Sequence, residues 1–103
     1  MDMILAGRTL NAVEAETAGL IARVVVPGTA LEAAIEIAQE IASRSPRAIG
    51  LARGAVLSAL EQPLGAGLSV ERRAFTEAFG SPDAREGIAA FLEKRTPRWI
   101  GDE

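Results

Sequence analysis

One segment limits the fold more than any other. Between Ser45-Pro46 and Gln62-Pro63 the chain carries Ile49, Leu51, Ala52, Ala55, Val56, Leu57, Ala59 and Leu60. At helical periodicity these residues cover most of a helix circumference. A helix apolar nearly all round has to be covered on more than one side. Ser45 is placed as an N-cap and Pro46 as the first helical residue, where its missing N–H costs nothing, so the helix is expected over about 46–61.

The flanking segments are also helical. Thr29 and Glu32 have capping-box spacing, and Leu31, Ala34, Ile35, Ala38, Ile41 and Ala42 recur on one face opposite Glu32, Glu36, Gln39 and Glu40. That predicts an amphipathic helix over about 30–44. Leu64, Leu68, Phe75 and Phe79 line a helix over about 64–79, weakened in its first turn by Gly65 and Gly67 and ended at Gly80. Ser81-Pro82 starts a last helix over about 82–94, with Ile88, Phe91 and Leu92 inward and Pro97 stopping it.

Nearer the N-terminus, residues 3–6 are apolar and stop at Gly7, a helix C′ glycine, which reads as the last turn of a helix begun upstream. Asn11 and Glu14 form a second capping box, for a helix ending at Gly19. Leu20 to Val26 is short, β-branched and bounded by Gly19 and Pro27-Gly28, and is expected to be a strand. Nothing else reads as a strand that could pair with it. The expected fold is mainly α, with four to five helices and one short orphan strand. Its apolar faces outnumber the partners this chain supplies. A compact Ala-rich helical domain and a part of something larger are both open; the orphan strand and the all-round helix favour the second.

Composition narrows the chemistry. The 103 residues fit one small domain, 49% are hydrophobic and only 4% aromatic, so much of the apolar content is alanine and a core built from it is thin. The chain has no cysteine, no histidine and no tyrosine. Disulfides, thiolate nucleophiles, Ser-His arrangements and the commonest metal ligand are therefore excluded within it. A net charge of −3 gives no support for nucleic-acid binding. No run approaches the roughly 20 apolar residues of a membrane span, and the expected location is the cytoplasm.

The polar clusters have simple readings. Glu32, Glu36 and Glu40 share a helix face as solvated charges, Glu14 is a cap partner, and Asp83 and Glu86 complement the dipole of a first helical turn. Gly65-Ala66-Gly67 follows no strand and fails as a dinucleotide loop. No metal site is expected. The remaining cations, Arg72-Arg73, Lys94-Arg95 and Arg98, gather in the last third. Lys94 and Arg95 are equally well read as helix C-terminal charges or as an anion site, lysine acting as a point charge and arginine as a fork.

The order of motifs resembles the crotonase family, the enoyl-CoA hydratase/isomerase superfamily, in its C-terminal portion. The resemblance rests on DMILAGRTLNAVEAETAGLIARVV, on Ile41-Ala42-Ser43 and Ser45-Pro46, and on Glu71-Arg72, Phe75, Phe79, Ser81, Asp83, Glu86-Gly87, Ala90-Phe91 and Glu93-Lys94-Arg95. It covers the chain end to end, with Ala6 where threonine is common.

The resemblance implies residues 1–28 as the end of a core segment and 29–103 as the helical trimerisation region of a crotonase fold. It implies an acyl-CoA substrate, no cofactor apart from the coenzyme A of that substrate, and a homo-oligomer, a trimer or dimer of trimers. No membrane or nucleic-acid partner is implied. In the family, two backbone N–H groups stabilise the thioester enolate and, in the hydratases, two glutamates act on water and the α-carbon. All of these lie upstream of the matching segment, so no catalytic residue is expected in this chain, and it is expected to be inactive alone. Phe75 and Phe91 resemble aromatics lining the acyl-CoA site of a neighbouring subunit, and Lys94 the lysine reaching the adenosine-phosphate end of CoA. The parent activity is most simply enoyl-CoA hydration; isomerase, dehalogenase and decarboxylase members share these motifs. A free-standing helical self-association module without a CoA role is the rival reading.

Overall fold

A computed structural model describes residues 1–101. Among them are six helices and no strand: α1 (Asp2–Leu5), α2 (Ala12–Thr17), α3 (Ala30–Ala42), α4 (Pro46–Glu61), α5 (Leu64–Gly80) and α6 (Pro82–Leu92). The mainly helical character expected from periodicity is what the structure has. Two compact units divide at Glu36–Ile37.

In the first unit α1 is a single turn, closed by Ala6 and followed by Gly7 at φ +66°. The capping box of α2 is complete: the Glu14 N–H donates to Asn11 Oδ1 and the Asn11 N–H to Glu14 Oε2, both at 2.9 Å. The helix ends in a Schellman motif around Gly19, which takes φ +73°. There the Gly19 N–H donates to the Glu16 carbonyl at 3.0 Å and the Leu20 N–H to the Ala15 carbonyl at 2.9 Å.

The strand expected over 20–26 does not form; residues 20–22 are a bend and 23–26 irregular backbone. The β-branched run has suitable side chains, but a strand is defined by a ladder, and no second strand exists among the described residues to supply one. The Val24 N–H donates instead to Glu16 Oε1 at 3.0 Å.

In the second unit α4 and α5 pack as a hairpin joined through Gln62-Pro63, and α6 packs on α5. Small residues permit the close approach: a methyl at Gly67 would stand 3.7 Å from the Ala59 Cα. Ser45 caps α4 by accepting from the Ala48 N–H at 3.1 Å. The break between α5 and α6 is made by Ser81 (φ −75°, ψ 159°), driven extended by Pro82, and not by a left-handed Gly80. Ser81 Oγ then caps α6 by accepting from the Ala84 N–H at 3.2 Å.

Little of the apolar surface is covered. Ala15 and Ala90 are the buried apolar residues among those described, and no large side chain is fully buried. Leu60 is 80% exposed, Phe75 68% and Phe79 65%, so the α4 and α5 faces that demand cover do not find it among the described residues. Among the described residues no helix is long and apolar enough to cross a membrane.

Candidate functional site

The densest side-chain hydrogen bonding in the second unit centres on α6. Asp83, Glu86 and Gly87 stand three and four residues apart, on one face of the helix. Asp83 is only 2% exposed. It accepts from Ser45 Oγ at 2.5 Å, from the Ile100 N–H at 2.7 Å and from the Gly101 N–H at 3.2 Å. These donors hold its carboxyl below the ordinary carboxylate value, the Ser45 hydrogen bond most strongly, while burial opposes them.

Glu86 fastens the next stretch. Arg95 forks onto it, Nη1 to Oε1 at 2.6 Å and Nη2 to Oε2 at 3.0 Å, and the Arg98 N–H donates to the same Oε1 at 2.7 Å. The Arg95 hydrogen bonds, and after them that of Arg98, draw the Glu86 carboxyl down to about 2. Glu86 in turn raises the Arg95 guanidinium, with Glu93 assisting. Trp99 supplies a third fastening: its indole N–H donates to the Ser43 carbonyl at 2.7 Å, and its ring lies so close to Gly87 that a methyl there would meet it at 3.4 Å. Residues 95–101 are thus a strap tied to α6 and to the residues that lead into α4.

Where the strap leaves α6, Glu93 caps the helix and Lys94 takes φ +52°. The Lys94 N–H donates to the Phe91 carbonyl at 3.3 Å and the Arg95 N–H to the Ala90 carbonyl at 3.0 Å. This is a Schellman motif with lysine in the place that glycine usually takes. The helix therefore stops at Leu92, short of the expected 94.

Phe91 and Lys94 adjoin at this helix end, where Phe91 is 82% exposed and Lys94 is also open to solvent. Phe75 stands elsewhere. It stacks with Phe79 at a ring separation of 6.0 Å and lines an open apolar groove of about 660 Å³ between α4 and α5, with Leu51, Val56 and Leu68 among its other walls. Neither Phe91 nor Lys94 is among those walls. The three residues singled out from sequence thus form two places.

From sequence, Asp83 and Glu86 read as helix-dipole charges, Ser45 as a cap, and Arg95 with Lys94 as a helix C-terminal charge or part of an anion site. The spacing of Asp83, Glu86 and Gly87 was the available signal, but their partners lie on distant segments. Of the glutamates on α3, Glu40 pairs with Arg44 at 3.5 Å, and no acidic group of three is arranged to hold a metal among the described residues.

The family model for enoyl-CoA hydratase/isomerase matches residues 1–102. The chain belongs to the enoyl-CoA hydratase/isomerase family. It is 44% identical over 99 residues to the "Probable enoyl-CoA hydratase, mitochondrial" of Dictyostelium discoideum, covering 96% of this chain and 36% of that one. It is 40% identical over 99 residues to the 2,3-dehydroadipyl-CoA hydratase of Escherichia coli, covering 96% and 39%. The crystal structure of the Bacillus anthracis enoyl-CoA hydratase superposes with a TM-score of 0.90 at 40% identity, over 98% of this chain and 39% of that one. The chain thus spans just over a third of the length of the curated relatives it matches.

Proposed function

We propose that this chain forms part of an enzyme that adds water across the double bond of a 2-enoyl-CoA thioester in fatty-acid metabolism, and that it contributes the anion-binding edge of the CoA pocket together with subunit contacts. The observation that carries this reading is the left-handed Lys94 beside an exposed Phe91 at the C-terminal end of α6. An ammonium at a helix end serves a phosphate as a point charge, and the adjoining ring offers an apolar face to the rest of the ligand. Family membership supports the substrate class.

The division of labour follows from what the residues offer. The groups that polarise the thioester and activate water belong to the remainder of the protein, and this chain binds and orients. Phe75 lines the acyl side through the α4–α5 groove, and the open faces of α4 and α5 are covered by other parts of a trimer or a dimer of trimers in the cytoplasm. Coenzyme A enters as part of the substrate, with no separate cofactor.

In the full-length enzyme Lys94→Ala is expected to weaken CoA binding by about ten- to a hundredfold, the range for losing one charge-assisted hydrogen bond. Lys94→Gly should lose the same affinity yet raise stability by about 1 kcal/mol, because glycine takes the left-handed turn without the Cβ penalty. Calorimetric titration with CoA and a thermal melt read the two effects separately. Unchanged CoA affinity in both variants refutes the assignment of Lys94 to the CoA pocket.

A further inference from the structure

The α6 terminus differs from the other helix ends in a way that points beyond Lys94 itself. Gly7 and Gly19 occupy the corresponding left-handed position after α1 and α2, and Lys94 is the non-glycine residue with positive φ among those described. Around Gly19 the two Schellman hydrogen bonds suffice, since glycine carries no penalty there. After α6 the same two bonds are present, but the residue is a lysine, and a side chain in this conformation persists only where its surroundings over-determine it.

The over-determination comes from the next residue. Arg95 is clamped between Glu86, by the two-pronged fork at 2.6 and 3.0 Å, and Glu93, whose Oε2 accepts from Nε at 2.5 Å. Glu86 has only 19% of its side chain exposed and also takes the Arg98 N–H, so its carboxylate fixes the chain on the far side of the turn at two points. A fork fixes orientation as well as distance, which a single point charge does not. With Arg95 held, the peptide between residues 94 and 95 has little freedom, and the left-handed turn directs where the lysine leaves the backbone.

We propose that Glu86 is a positioning residue for Lys94: through its fork with Arg95 it holds the left-handed turn that presents the lysine to the phosphate end of CoA. This rests on the reading of Lys94 as a CoA ligand. Glu86 touches no ligand and acts through the backbone.

The test is a double-mutant cycle in the full-length enzyme, with KM for acyl-CoA and the dissociation constant for CoA as readouts and Trp99 emission as a check that the strap stays docked. Glu86→Gln keeps the shape of the side chain but removes the charge-assisted fork. It is expected to raise KM and the CoA dissociation constant about three- to tenfold with kcat unchanged, the pattern of lost uniform binding. Arg95→Lys keeps the charge without the fork and should do the same. In a Lys94→Ala background Glu86→Gln should add nothing. If Lys94→Ala weakens binding while Glu86→Gln and Arg95→Lys leave it unchanged, the positioning role is wrong and the CoA site stands. A Glu86→Gln loss that persists undiminished in the Lys94→Ala background also overturns it, since the effect then bypasses the lysine. If Lys94→Ala itself has no effect, both readings fall.

Discussion

Asp83→Ala is expected to unfasten the strap and lower the melting temperature by on the order of 10 °C for a unit of this size. The carboxylate accepts from Ser45 Oγ and from the Ile100 and Gly101 N–H groups. Truncation leaves the hydroxyl of Ser45, a residue only 7% exposed, without its acceptor and takes from the Ile100 and Gly101 N–H groups the oxygen that holds them to α6. Trp99 is the one tryptophan in the chain, so its emission reports the event directly and should move to longer wavelength as the indole enters water. Asp83→Asn should be milder, because the amide oxygen can still accept from the two backbone groups. An Asp83→Ala protein whose Trp99 emission and melting point match the parent would show that the strap is held by something other than this carboxylate.

Acid should produce the same release without a mutation. Asp83 lies below its ordinary value, chiefly through Ser45, and Glu86 is drawn down to about 2, chiefly through Arg95. A carboxyl whose pKa is lower folded than unfolded contributes its full stabilisation above the ordinary value and loses it as pH falls through the folded one. The Trp99 signal should therefore be flat from pH 8 down to about 5 and change steeply between about 4 and 2. The absence of histidine removes the side chain that most often titrates above this window. A strap transition centred above pH 5 would contradict the assignment of its fastenings to these two carboxylates.

The parts of the fold that were legible in the sequence are those set by residues a few positions apart. The Asn11–Glu14 box and the Ser45-Pro46 and Ser81-Pro82 starts fixed three helix beginnings because a cap and its N–H lie within one turn. The Leu20–Val26 run misled for the complementary reason: local composition favours extension, but a strand exists only if a partner arrives from elsewhere. The strap escaped notice likewise, since Trp99 meets Ser43 across 56 positions and Ile100 meets Asp83 across 17. Motif position singles out Lys94, whereas its left-handed backbone is not legible because lysine carries no local preference for it. The resemblance groups Phe75 with Phe91 and Lys94, and the helical hairpin places it in a groove that neither of them lines.

The exposed faces of α4 and α5 have a thermodynamic consequence. Heat capacity and denaturant sensitivity both scale with the apolar surface newly wetted on unfolding. A chain whose Leu60, Phe75 and Phe79 are already in water when folded has little left to wet. Its own unfolding should carry a small heat-capacity change and a shallow dependence on urea, giving a flat stability curve. The large heat-capacity decrement usual for forming a protein core would then appear when something covers those helices, so that association carries the calorimetric signature that other proteins show on folding.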